Sequence, residues 1–221
     1  GADILDIGAE STRPGALPVP GDIELARILP VLAGLRDCGA ALSVDTMKPG
    51  VMRAALEAGA DLINDVNALR APGAREAVAA SDCGLCLMHM RGEPRTMQAD
   101  PRYADVVAEV AAFLADAVVE ARDQGIADER LLVDPGFGFG KTLAHNVALF
   151  RALPALARIA PVLAGVSRKS MLGQISGRPL AARMPASVAA ALMAAQSGAS
   201  VLRVHDVAET VDALKVWQAL R

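Results

Sequence analysis

Seven short apolar runs recur along this chain, each separated from the next by a longer stretch of mixed polarity. They are ADILDIG (2–8), ALSVDT (41–46), DLINDV (61–66), GLCLMHM (84–90), RLLVDPG (130–136), PVLAGVS (161–167) and SVLRVHD (200–206). Near-continuous apolar runs of this length suit parallel strands covered on both faces. The intervening stretches carry helical spacing. Between Ala104 and Gly125, residues Val106, Val110, Phe113, Leu114, Ala117, Val118 and Ala121 fall on one face, and Gly125 supplies a stop. Residues 22–39 and 207–220 read as helices in the same way, with Pro30 predicting a kink or break in the first. Repeated strand–helix units with short connections make a parallel sheet, open or closed.

The ends of the runs decide between those two. A dinucleotide-binding fold would carry GxGxxG after its first strand, and DIGAESTRPG lacks that spacing. From the second run onward, each carries polar residues at its C-terminal end: Asp45; Asn64 with Asp65; His89; Asp134; Ser167, Arg168, Lys169 and Ser170; then Arg203, His205 and Asp206. A charged group in an apolar strand is costly unless paired or at the rim. In a TIM-type barrel those ends converge on one mouth, where the active site lies. Basic residues dominate these loops (Arg13, Lys141, Arg168, Lys169, Arg203, His205), although the whole chain carries a net charge of −3. That favours an anionic substrate group such as phosphate. Asp45, Asn64 and Asp134, on neighbouring strands, suit a flat heterocycle recognised through its amino and ring N–H groups. Asp45 and Asp134 could each instead cap the following helix. His89 reads as a packed strand-end histidine, Asp65 and Asp206 as structural, and Lys48 and Arg53 as solvated.

Composition removes other classes. The 221 residues suit a single domain over 1–221, and 53% hydrophobic content excludes disorder. The acidic balance offers no general field for nucleic acid. No apolar run approaches the ~18 residues of a membrane span, and no signal peptide is expected. Three cysteines, an odd number, point to a reduced cytoplasmic setting. Cys83 and Cys86 form a lone CxxC, with Cys86 inside an apolar run, which suits a buried strand position. No His/carboxylate spacing points to a metal site. The run GFGFGKT (136–142) imitates a phosphate loop, but the first glycine of that pattern would fall on Pro135, which has no N–H to donate. A flap whose phenylalanines cover a flat substrate is the other reading.

Taken together, DIGAESTRPGA, SVDTMKPGVMRAALEAGADLINDVNAL, LMHMRGEPRTMQ, LLVDPGFGFGKTLAHN, GVSRKSMLGQ and VLRVHDVAETVDAL stand in the order of motifs of one family. The sequence resembles the dihydropteroate synthases of folate biosynthesis along its whole length. The resemblance implies a (β/α)8 TIM barrel and condensation of dihydropterin pyrophosphate with p-aminobenzoate. It implies Asp45, Asn64, Asp134 and Lys169 on the pterin ring, with Met88 packing on it. Arg203 and His205 would take the pyrophosphate, assisted by Mg²⁺. Thr12, Arg13 and Pro14 would belong to a mobile loop near the p-aminobenzoate site, which Phe139 and Ser170 help form, with Arg168 also binding substrate. Glycines 136, 138 and 140 would let the Phe139 loop fold over the site, with Lys141 close to anions. It also implies a target of sulfonamides and a cytoplasmic homodimer.

The family's first strand, with its Asn-Val-Thr-Pro-Asp-Ser-Phe type segment, has no counterpart. The expectation is therefore an N-terminally incomplete barrel of seven strand–helix units. The metal-binding Asn of the family falls in the segment without a counterpart, so no metal ligand is assigned among the residues present. Residues 2–8 and 200–206 should flank one empty strand position, and turnover should be poor. A pterin-binding methyltransferase of the corrinoid-linked type and a non-catalytic pterin-binding paralogue are the alternatives. The first should lack the SRKS and Arg-Val-His segments present here.

Overall fold

A computed structural model describes residues 1–13 and 15–220. Strands and helices alternate through the chain: β1 (Ile4–Gly8), α1 (Gly21–Leu35), β2 (Ala41–Asp45), α2 (Pro49–Glu57), β3 (Leu62–Asp65), α3 (Ala74–Ala79), β4 (Gly84–Met88) and α4 (Val106–Asp123). There follow β5 (Leu131–Asp134), α5 (Leu143–Arg151), α6 (Leu153–Leu156), β6 (Val162–Ala164), α7 (Ser170–Ser176), α8 (Met184–Gln196), β7 (Ala199–Leu202) and α9 (Val207–Leu220). Each of the seven apolar runs contributes one strand. All pair in parallel in chain order, β1 to β7.

Side-chain alternation divides the sheet into two faces. On the outer face Leu42 and Val44 of β2, Ile63 of β3, Leu85 and Leu87 of β4 and Val133 of β5 pack under Ile28, Leu32, Met52, Val110 and Leu114 of the helices, all buried. Each such side chain contributes about 1.5–3 kcal/mol by leaving water. The inner face alternates with it and carries Asp6, Ser43, Asp45, Asn64, Cys86 and Asp134.

The sheet curls. Arg203, just past β7, forms an ion pair with Asp6 on β1, Nε to Oδ2 2.6 Å, although those strands lie at opposite ends of the strand order. Among the described residues no ladder joins them: β1 pairs with β2 and β7 with β6. The architecture is a TIM-type barrel with seven strand positions filled and an opening between β1 and β7, as expected from the sequence. A cleft of about 1740 Å³ runs along this opening and out over the C-terminal strand ends.

Two local expectations need correction. Pro30 neither ends nor splits α1, which runs from Gly21 to Leu35. The carbonyl its ring leaves without a donor belongs to Ala26, which like Pro30 is exposed, so water can satisfy it. The sixth strand is shorter than its apolar run: the ladder slips between Val162 and Leu163 and ends at Ala164. Beyond it Gly165 and Ser167 line the cleft, while Val166 is buried in the apolar core. Helix α4 begins where Asp105 accepts hydrogen bonds from the N–H groups of Val107 (2.9 Å) and Ala108 (3.0 Å). No helix among the described residues is long and apolar enough to cross a membrane.

Candidate active site

Strand register brings the inner-face groups to two successive levels: Asp45 lies opposite Asn64 and Asn64 opposite Cys86, while Met88, two residues on, lies opposite Asp134. Asp6 gathers the first of them. Its Oδ1 accepts from Ser43 Oγ at 2.6 Å and its Oδ2 from Asn64 Nδ2 at 3.3 Å. Arg203 forks between two carboxylates, Nε to Asp6 and Nη2 to Asp45 Oδ2 at 3.0 Å. Asn64 Oδ1, buried, has no hydrogen-bond partner among the described residues. Burial pushes the Asp45 carboxyl up to about 7, against the pull of Arg203. Burial likewise raises Asp134, opposed by Lys169 and by the Gly136 N–H. Arg203 is held protonated, because Asp6, Asp45 and Asp134 outweigh the cost of its burial.

The glycine loop after β5 forms the next part. Asp134 Oδ1 accepts from Gly136 N–H at 2.7 Å. Asp134 does not cap α5: that role falls to Thr142, in a capping box with His145. Nor does Asp45 cap α2, whose N-cap is Lys48. Lys169 donates to the Phe137 carbonyl, and its Nζ stands 5.0 Å from the centre of the Phe139 ring. Burial lowers Lys169 to about 8, with Asp134 opposing.

Lys141 is held by the chain itself. Its Nζ is buried, although the residue lines the cleft, and donates to the carbonyls of Gly136 (2.9 Å) and Phe139 (3.0 Å), with His89 Nδ1 2.9 Å away. Burial lowers it to about 7, with Asp134 opposing. His89, edge-on to Phe113, is driven down to about 3 by burial and by Lys141, so its ring is neutral.

Around the mouth, Ser167 Oγ lies 3.0 Å from His205 Nδ1 and accepts from the His205 N–H at 3.2 Å. Arg168, at φ 58°, makes a two-pronged pair with Asp206. Asp65 accepts from the N–H groups of Asn67 and Leu69, both at 2.7 Å. Lys48, expected to be solvated, is instead ion-paired with Glu10 and the buried Glu24. Glu10 also accepts from Val19 N–H at 2.9 Å and so ties the base of the loop that carries Thr12 and Arg13.

Of the predicted site residues, Thr12, Arg13, Asp45, Phe139, Arg168, Lys169, Ser170, Arg203 and His205 line the cleft. Asn64, Met88 and Asp134 are buried behind its wall. Met88 packs with Val66, Met90 and Met97, and with Phe139 at the edge of that cluster. Pro14 lies outside the described residues.

A family model described as pterin binding enzyme matches residues 1–205. Dihydropteroate synthase of Neisseria meningitidis serogroup C is 52% identical over 225 residues, covering 100% of this chain and 80% of the relative. The chain belongs to the dihydropteroate synthase family. Solved synthases agree in structure. That of Burkholderia cenocepacia, complexed with 7,8-dihydropteroate, superposes with TM-score 0.95 at 59% identity, over 100% of this chain and 82% of that one. That of Xanthomonas albilineans, with 4-aminobenzoic acid, gives TM-score 0.95 at 56% identity, over 100% and 80%. In this dihydropteroate synthase fold, sequence reasoning missed Asp6, which lines the cleft at the centre of the polar cluster. The signal was present: Asp6 is a carboxylate in the middle of the first apolar run, on the inner face between Ile4 and Gly8.

Proposed function

We propose that the protein condenses 6-hydroxymethyl-7,8-dihydropterin pyrophosphate with p-aminobenzoate, giving 7,8-dihydropteroate and pyrophosphate, with the strand-end cluster as its pterin site. The observation that carries the assignment is Asn64. Its Nδ2 is used by Asp6, while its buried Oδ1 is left without a donor, beside carboxylates on β1, β2 and β5. A buried acceptor without a partner is costly. The amino and ring N–H groups of a pterin would satisfy it and would suit Asp45 and Asp134. Lys169, whose chain passes beneath Phe139, would hold the far edge of the ring.

The reaction breaks the bond from the exocyclic methylene carbon to the pyrophosphate oxygen and forms one from that carbon to the arylamine nitrogen. The amine releases one proton to solvent. Arg203 and His205 would neutralise charge on the departing pyrophosphate. Asp45 and Asp134 would stabilise the positive charge that spreads into the pterin as the bond breaks. Phe139 would offer an apolar face to the benzoate ring. Ser170, Arg168 and the Thr12–Arg13 loop would border it, and sulfonamides would compete there. Among the described residues no three His, Cys, Asp or Glu side chains come together to hold a metal ion. The Mg²⁺ that the resemblance implies would assist Arg203 and His205 in neutralising the pyrophosphate, and no ligand for it is assigned among these residues.

We also read residues 1–221 as one domain of a cytoplasmic homodimer. Exposed Ile175, Leu180 and Met193 support the second copy. The test is pyrophosphate release by the full-length protein on mixing both substrates. Release that depends on p-aminobenzoate supports the reading. Pterin binding without release would leave a non-catalytic binder.

A further inference from the structure

The GKT that imitates a phosphate loop has a different use here. Lys141 places its ammonium inside a cage. The carbonyls of Gly136 (2.9 Å) and Phe139 (3.0 Å) accept from it, His89 Nδ1 lies at 2.9 Å, and the His89 carbonyl lies at 3.4 Å. Two of these groups are on the glycine loop and two on His89, where the chain leaves β4. One buried amine therefore joins two segments that also meet by close backbone approach, by the His89 N–H bond to the Asp134 carbonyl (2.9 Å) and by the packing of Phe139 against the Met88, Met90 and Met97 cluster. The approach is very close: a Cβ at Gly136 would lie 1.9 Å from the His89 carbonyl oxygen, and one at Gly140 would lie 2.5 Å from that of Arg91.

The loop held in this way carries two site groups. Phe137 presents its carbonyl to Lys169, and Phe139 sets its ring 5.0 Å from the same ammonium. The Gly136 carbonyl that Lys141 binds also accepts from Phe139 N–H at 3.0 Å, closing the turn that aims the ring. From this geometry we infer that Lys141 is a positioning residue of the reaction: caged by the loop carbonyls and His89, it fixes Phe139 where p-aminobenzoate is received, without touching substrate. The inference rests on the proposed synthase activity. It gives the lysine of the GFGFGKT motif a purpose unrelated to phosphate. The nearest alternative is a lysine that merely stabilises the fold, and the two differ in what its removal does to each substrate.

The experiment is a double-mutant cycle in the full-length protein. Steady-state constants are measured for both substrates in the parent, Lys141→Met, Phe139→Ala and the double variant, with melting temperature as control. If the parent releases no pyrophosphate, the synthase reading fails and the cycle is not reached. If the parent is active, Lys141→Met should raise KM for p-aminobenzoate about tenfold, the scale of one misplaced aromatic contact. KM for the pterin pyrophosphate should move less than KM for p-aminobenzoate, since Asp45 and Asn64 do not depend on the loop and only Asp134 and Lys169 touch it, through the Gly136 N–H and the Phe137 carbonyl. The double variant should be no worse than Phe139→Ala in KM for p-aminobenzoate, because the lysine acts through that ring. Lys141→Gln, which keeps two donors, should fall between parent and Met, and its cycle decides the matter should the Met variant not fold. Equal shifts for both substrates, or effects of the two single changes that simply add, would overturn the inference and leave a stabilising role alone.

Discussion

Gly136→Ala should be among the most damaging single-methyl changes in the chain, and its cost can be worked from the geometry. Gly136 sits at φ +67°, and an added Cβ would lie 1.9 Å from the carbonyl oxygen of His89, a backbone atom that no side-chain rotation can move. The two segments must separate by more than an ångström. That disrupts the Gly136 N–H to Asp134 bond of 2.7 Å and the Lys141 bonds that span the gap. Each hydrogen bond to a charged group is worth about 1.5–3 kcal/mol. For two such bonds, adding about 1 kcal/mol for a left-handed alanine gives roughly 4–7 kcal/mol in all. Gly125→Ala is the control. It has φ +81° and nothing within 4 Å of the new methyl, so it bears the conformational cost alone, about 1 kcal/mol. Urea unfolding followed by circular dichroism reads both. Equal losses for the two variants would refute the packing of the glycine loop against the end of β4.

Two further changes probe the polar cluster. Asp6→Asn keeps the shape of the side chain but removes the charge facing Arg203 Nε at 2.6 Å. Because the arginine is 40% exposed, the loss in urea unfolding should be held to about 1 kcal/mol by solvent screening, and a loss above 3 kcal/mol would show the pair to be tighter than described. Asp45 should shape the pH profile. Its carboxyl is raised by burial to about 7 in the folded protein, against about 4 unfolded, so the native state holds an extra proton between those values. Its contribution is present below about pH 4 and is lost as pH rises to about 7. Relative to its parent, Asp45→Asn should therefore gain stability steadily from about pH 4 to 7, with a constant difference above that. Profiles that stay parallel through this window would show that Arg203 keeps the carboxylate ionised throughout.

The strands were legible because each is an apolar run, and the polar ends of the runs from the second onward also announced the mouth. What escaped was set by partners distant in the sequence. Lys48 reads as an ordinary helix-flanking cation until the fold brings Glu10 and Glu24 to it. Lys141 follows glycines as a phosphate-binding lysine would, and only the passage of the chain out of β4 shows that its ligands are carbonyls. Arg203 matched an anion-binding role by motif, yet in the curled sheet it is held by Asp6 and Asp45. Asp6 was hidden by the opposite error, since one carboxylate in the first run carried no weight until strand register placed it beside Asn64.

The pterin reading rests most directly on the unpartnered oxygen of Asn64, and calorimetric titration of the pterin substrate tests it. The full-length protein and its Asn64→Leu variant are compared at one pH and salt concentration. The account predicts that the variant binds dihydropterin pyrophosphate about ten- to a hundredfold more weakly, as expected for a lost hydrogen bond in a buried site, while its melting temperature stays within a few degrees of the parent. Equal affinity in the two proteins would contradict the assignment of the strand-end cluster as the pterin site.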